Sequence, residues 1–357
     1  MKSRILELGK ALSSADLDCY LVTHLPHIRY LCGYSGSNAL LLATPRRADF
    51  YTDNRYTEQI RTEVKGVSKH IPADGNLIAK LAKLPVFAKG HPRMGFQPRH
   101  LNVEQHTVLT QKLGGALLVP HDHLVDSLTL VKNPQETDYI RKAADIVDRA
   151  FDLILSKIRP GVRESDVAAE LEYQMLMLGS EGAAFETICA SGFRSALPHG
   201  KASPKKIKTG DFVTLDYGAL VHGYCSDITR TVVVGKASAR QKKIYEIVKR
   251  AQRAAINKIR PGASTRAIDA AARNIISKAG YGARFGHGTG HGLGLEVHQG
   301  PSLSPRTDSR LIAGMIVTVE PGIYIPGFGG VRIEDDVRVT RSGHEVLTQA
   351  PKRLIEL

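Results

Sequence analysis

KIRPG occupies residues 157–161 and returns unchanged at 258–262. A five-residue match can arise by chance, but here the surroundings repeat too. Each copy closes a long amphipathic helical stretch (139–158 and 241–259) and leads into a second one (about 164–178 and 264–279). After each helix pair comes a loop with glycine and histidine, LPHG at 197–200 and GHGTGH at 286–291, followed by a β-rich stretch that carries acids. The repeated order of helix, helix, loop and strands predicts a duplicated α+β unit. Two such halves facing each other form a cleft at their pseudo-twofold axis.

The acids give that cleft its chemistry. DFVTLDYGALVHGYCSDITRTVVVG (211–235) alternates as two strands of a hairpin turning around Val221-His222-Gly223, with Asp216 and Asp227 inside the strands. GMIVTVEPGIYIPGFGGVRIEDDVRV (314–339) places Glu320 at the end of one apolar strand and Glu334 inside another. Aspartate is disfavoured in strands, and a carboxylate in an apolar run is costly to bury unless it is paired, protonated or bound to a metal. The bland readings are a strand-end acid for Asp216, a turn acid for Glu320 and surface-facing residues for Asp227 and Glu334. The four together, with a histidine from GHGTGH, form a mostly oxygen donor set suited to two divalent cations. FGHGTGHGLGLEVHQG (285–300) holds three histidines and six glycines. Its GTGHGLG also resembles a phosphate-cradling loop, but neither a βαβ unit nor an acid about twenty residues on accompanies it.

The chain has 357 residues, 42% hydrophobic and 24% charged, which suits two soluble globular domains. Residues 1–128 alternate short strands (YLVTH at 20–24, ALLLAT at 39–44, ADFYTD at 48–53) with helical stretches, an α/β pattern. Asn133-Pro134 opens the first long helix of the second block, so the domains are set at 1–128 and 129–357. The N-terminus lacks a signal-peptide core and no run of eighteen apolar residues occurs, so a cytoplasmic protein without membrane attachment is expected. Cys19, Cys32, Cys189 and Cys225 show no paired spacing and read as reduced, buried thiols. The charge of +14 is scattered; its densest run, KASPKKIK (201–208), reads as a solvated loop, and no nucleic-acid partner is expected.

These stretches resemble the pita-bread metallopeptidases, in particular their proline-specific members, the Xaa-Pro aminopeptidases and Xaa-Pro dipeptidases (prolidases). The resemblance rests on TDNRY (52–56), AFETICASGFRSALPHG (184–200), LDYGALVHGYCSDITRT, FGHGTGHGLGLEVHQGP, VTVEPGIY and GGVRIEDDV, and spans essentially the whole chain. It implies an α+β fold: a C-terminal pita-bread catalytic domain preceded by a smaller α/β creatinase/prolidase-type N-terminal domain. It implies five metal ligands, Asp216, Asp227, His291, Glu320 and Glu334, with Asp227 and Glu334 bridging two divalent ions. Ligation this rich in carboxylate favours Mn²⁺ over Co²⁺ or Zn²⁺.

The resemblance further implies that His298 and His199 steady the substrate carbonyl from opposite halves and that Glu320 shuttles the proton. His287 sits at the cleft rim, and Arg332 orients a carboxylate ligand. The implied activity is hydrolysis of the bond between an N-terminal residue and proline, in a homodimer whose partner's N-terminal domain borders the active site. Aminopeptidase action is preferred to dipeptidase action because no arginine stands out as a clamp for a free carboxylate: Arg332 is committed, and Arg194 lies in what reads as a flexible rim. A non-catalytic pita-bread binding module is the third reading, disfavoured because all five ligands are present. Gln299 departs from the family pattern, which commonly has Glu there.

Overall fold

A computed structural model describes residues 2–357 apart from Asp74, Asn76 and Lys89. The chain forms two compact units, residues 1–129 and 130–357. The first is built on a six-stranded sheet of β1 (Cys19–Val22), β2 (Leu40–Ala43), β3 (Ala48–Tyr51), β4 (Ser68–His70), β5 (Arg93–Phe96) and β6 (Leu117–Pro120), in the order β4-β3-β2-β1-β5-β6. β1, β2 and β3 run antiparallel, while β5 joins β1, β6 joins β5 and β4 joins β3 in parallel. The central β1 is buried throughout, which explains its unbroken apolar sequence. TDNRY follows β3: the Asp53 carboxylate caps the turn at Asn54–Tyr56 and accepts from the Arg55 guanidinium and from Asn38.

In the second unit the helices Pro134–Ile154 and Glu164–Met177 belong to the first half, and Ala239–Ile256 and Thr265–Lys278 to the second. Asn133 with Glu136, and Ser238 with Gln241, close capping boxes at the two long helices. The KIRPG copies make equivalent turns. Gly161 and Gly262 take φ of 91° and 78°, a region open to glycine, and Ile158 and Ile259 are buried beneath them.

The strands repeat as well. β7 (Ile188–Ser191), β8 (Phe212–Tyr217), a small hairpin of β9 (Leu220–Val221) and β10 (Tyr224–Cys225), then β11 (Ile228–Val233) make up the first half, with sheet order β11-β8-β7. The second half has β12 (Gly290–Gly292), β13 (Gln299–Leu303), β14 (Ile316–Val319), a small hairpin of β15 (Gly322–Ile325) and β16 (Gly329–Arg332), then β17 (Asp335–Val339) and β18 (His344–Val346). Its sheet order is β13-β12-β14-β17-β18. In both halves an antiparallel pair, β8–β11 or β14–β17, is interrupted by a two-stranded hairpin. One apolar core packs the 134–154 and 164–177 helices on β8 and β11; another packs the 239–256 and 265–278 helices on β14 and β17.

Two expectations change. Asp227 and Glu334 do not sit inside strands: each occupies the break between the small hairpin and the returning strand, β10 to β11 and β16 to β17. The run at 201–208 is not wholly solvated, because Lys205 reaches Asp211 (2.9 Å) and Ser191 (2.6 Å) and is largely covered.

Candidate metal centre

A cleft of about 810 Å³ in the second unit gathers Asp216, Asp227, His291, His298, Glu320 and Glu334 in its walls, and His199, His287 and Arg332 line it too. Each carboxylate comes from a defined place. Asp216 lies in β8 opposite Thr229 of β11. Asp227 is fixed through its backbone N–H, which donates to Asp336 Oδ2 (3.0 Å). Glu320 follows β14 and its N–H donates to the Thr289 carbonyl (2.8 Å). Glu334 Oε2 accepts from Thr229 Oγ1 (2.6 Å), and the Glu334 N–H donates to the Thr229 carbonyl (3.1 Å).

His291 stands in β12 between these acids. Its Nδ1 faces the Gly292 carbonyl (3.1 Å), which assigns the proton to Nδ1 and leaves a lone pair on Nε2. Nε2 then faces Glu320 Oε1 at 3.5 Å and Asp227 Oδ2 at 3.7 Å. Burial, and next the neighbouring His298, hold His291 down at about 4, so the ring is neutral and cannot donate to either carboxylate. A lone pair and carboxylate oxygens facing one another at such distances call for a cation between them.

The charge balance argues the same way. Asp216, Asp227, Glu320 and Glu334 gather beside one buried guanidinium, Arg332. Burial, then Glu334 and Asp216, push the Asp227 carboxyl well above its usual range; burial, then Glu320 and Asp216, do the same to Glu334. Burial raises Glu320 to about 8 despite the pull of Arg332. Asp216 Oδ1 and Asp227 Oδ1 are buried without a hydrogen-bond partner. Among the described residues, donor atoms of Asp227, His291 and Glu334 lie within 4.8 Å of one another. This donor set fits divalent cations.

Behind the acids runs a hydrogen-bonded support. Arg332 donates from Nη2 to Asp216 Oδ2 (2.5 Å), from Nε to Thr229 Oγ1 (2.9 Å), and from Nη1 to Tyr324 Oη (2.9 Å) and the Pro198 carbonyl (3.1 Å). His287 Nδ1 donates to the Gly288 carbonyl (2.7 Å), so its Nε2 accepts from Tyr324 Oη (2.8 Å). Both His287 nitrogens are thus engaged, which makes the ring a support more than a substrate contact. His199 and His298 are exposed on the cleft walls, and the His298 ring lies 4.4 Å from that of His291. Arg273 forks onto Asp269 (2.8 and 2.9 Å) and donates to the Phe285 and His287 carbonyls, while Asp269 accepts from Thr289. That pair fixes the histidine loop to the 265–278 helix.

Thr229, Tyr324, Arg273 and Asp269 were not singled out from the sequence. Tyr324 was inside the quoted VTVEPGIY, but only its position beside Arg332 shows what its hydroxyl does. Arg194 was expected on a flexible rim. It is instead held by the buried Glu164 (2.9 Å) and the Lys201 carbonyl (2.6 Å).

A model of metallopeptidase family M24 matches residues 138–341, and one of the creatinase/prolidase N-terminal domain matches residues 4–131. The chain is 38% identical to an Xaa-Pro dipeptidase of Pyrococcus horikoshii, over 99% of both chains. Among solved structures it is similar to an Xaa-Pro dipeptidase from Bacillus anthracis (46% identity, 99% of both chains, TM-score 0.96). It is also similar to an X-Pro aminopeptidase from Thermotoga maritima (36% identity, 98% of this chain and 100% of that one, TM-score 0.90).

Proposed function

Because the chain belongs to metallopeptidase family M24, with a creatinase/prolidase N-terminal domain, we propose that it cleaves the peptide bond between a residue and a following proline. The observation that carries this reading is the set of four carboxylates around a neutral His291 whose bare Nε2 faces two of them. Asp216, Asp227, His291, Glu320 and Glu334 would hold two divalent cations, with Mn²⁺ favoured by the oxygen-rich set. Such a pair, when bound, polarises the scissile carbonyl and makes the attacking water acidic.

The chain's own groups supply the rest. Glu320 takes the proton of the attacking water as its oxygen bonds to the carbonyl carbon. As the carbon–nitrogen bond breaks, Glu320 returns that proton to the proline nitrogen. His298 and His199 stand on the walls where they can donate to the carbonyl oxygen as it becomes anionic. The Xaa-Pro bond offers no N–H, so recognition through the carbonyl and the ring loses nothing there.

The preference for aminopeptidase action rested on the lack of an uncommitted arginine. Arg306 removes that ground: it lines the cleft, and its guanidinium has no ion pair or hydrogen bond among the described residues. A free carboxylate one residue beyond the scissile bond would meet it, and the names of the dipeptidase relatives agree. Dipeptidase action on Xaa-Pro is therefore the favoured form, in a cytoplasmic homodimer. The test compares kcat/KM for Xaa-Pro and Xaa-Pro-Yaa peptides with Mn²⁺ present. A dipeptide preference that Arg306→Gln abolishes supports it; a tripeptide preference returns the reading to aminopeptidase, and no cleavage of either overturns it.

A further inference from the structure

Lys132 lies just ahead of the 134–154 helix, with its backbone N–H on the Gly314 carbonyl (2.9 Å). Its side chain is buried, and its ammonium donates to the Leu130 carbonyl (3.2 Å) and to Gln299 Oε1 (3.3 Å). Burial pushes this ammonium down to about 7, with Glu136 pulling it back up. Burying a lysine against a neutral amide is costly, and that amide is not well served either, since Gln299 Nε2 is buried without a partner.

The location explains what such an arrangement can do. Gln299 opens β13 and is paired with Gly292 of β12, the residue after His291. His298, the residue before Gln299, lines the cleft, whereas the Gln299 side chain turns away to Lys132. Both side chains close over Gly294: an added Cβ there would come 2.5 Å from Gln299 Oε1 and 3.0 Å from Lys132 Cε. The loop between the two histidines is thus clamped from behind by Gln299, and Gln299 by Lys132.

We propose that Lys132 is a positioning residue for His298, acting through the side-chain amide of Gln299. The role rests on the peptidase reading above, in which His298 meets the substrate carbonyl. It is tested on full-length, Mn²⁺-loaded protein with Lys132→Met, Gln299→Met and the double variant. Each single variant keeps two metals per chain and loses roughly tenfold in kcat with KM little changed, as a displaced catalytic imidazole should. The double variant loses no more than the worse single, and Lys132→Met costs nothing further in a His298→Ala background. Gln299→Glu, which still offers Lys132 an oxygen, keeps kcat within about twofold. Additive losses in either cycle overturn the proposal.

A second readout does not need activity. Modification of His298 by diethylpyrocarbonate, followed by peptide mass spectrometry, should speed up severalfold in both single variants while His199 reacts as before. An unchanged His298 rate overturns the proposal. An inactive wild-type protein with an altered His298 rate would sink the peptidase reading and keep the positioning role. Should Lys132→Met fail to fold, Gln299→Met carries both measurements.

Discussion

Thr229 has one hydroxyl and two duties. It donates to Glu334 and accepts from Arg332, whose far nitrogen holds Asp216, so one side chain links carboxylates from both halves. Thr229→Val keeps the shape and removes both bonds. Metal affinity should fall by about 10–100-fold, as when other outer supports of metal ligands are lost, and titration calorimetry with Mn²⁺ would show it; unaltered affinity would rule out the linking role. The histidines divide differently. His291→Ala should strip metal, whereas His298→Ala should leave it and lower kcat by roughly 10²–10³-fold; equal metal loss in both variants would refute the division. The acids and histidines were legible in the sequence because a charged or imidazole group in an apolar run demands an explanation. Thr229 and Tyr324 carried no such signal, since threonine and tyrosine are ordinary strand residues. Arg306 was missed because nothing local marks a cation as uncommitted; that depends on every neighbour in space.

Among the elements, β12 shows why the histidine loop is so rich in glycine. None of its glycines from 286 to 294 has positive φ, so backbone conformation is not the reason. A Cβ on Gly290 would run into the Thr318 carbonyl of β14, and one on Gly292 into the Gly300 carbonyl of β13. The glycines let β12 press between its two neighbours and carry His291 to the acids. Gly292→Ala should therefore cost at least about 1–3 kcal/mol of stability through overpacking and lower metal content as His291 is displaced. Chemical denaturation with elemental analysis would test this; a stable, metal-replete variant would sink it. The helices were legible from their 3.6-residue rhythm and the proline and asparagine at the cap. The strand breaks at Asp227 and Glu334 were not, because the alternation continues across them. The break appears only in three dimensions, where the small hairpin forms a two-stranded sheet of its own and the returning strand starts afresh.

For the C-terminal unit as a whole, the duplication is what concentrates charge. Equivalent breaks at 227 and 334 bring an acid from each half to one place, and Asp216 in β8 and Glu320 just after β14 join them. The buried Arg332 guanidinium alone cannot balance the four carboxylates beside it, so without cations these acids keep protons. Burial and mutual repulsion raise Asp227, Glu320 and Glu334 above their unfolded values, with Glu320 reaching about 8. The sign follows from linkage: between the ordinary carboxylate range and about 8 the folded, metal-free chain binds more protons than the unfolded chain, so these groups make stability fall as pH rises. Chelated protein should thus lose thermal midpoint steadily from about pH 5 to pH 8. Mn²⁺-loaded protein should not, because there the cations replace the protons. Binding of Mn²⁺ to the metal-free protein at pH 7 should correspondingly release protons, seen as a dependence of the calorimetric enthalpy on buffer ionisation. A chelated midpoint that is flat or rises across this window, or binding without proton release, would mean that the acids are already ionised and balanced by something other than a metal.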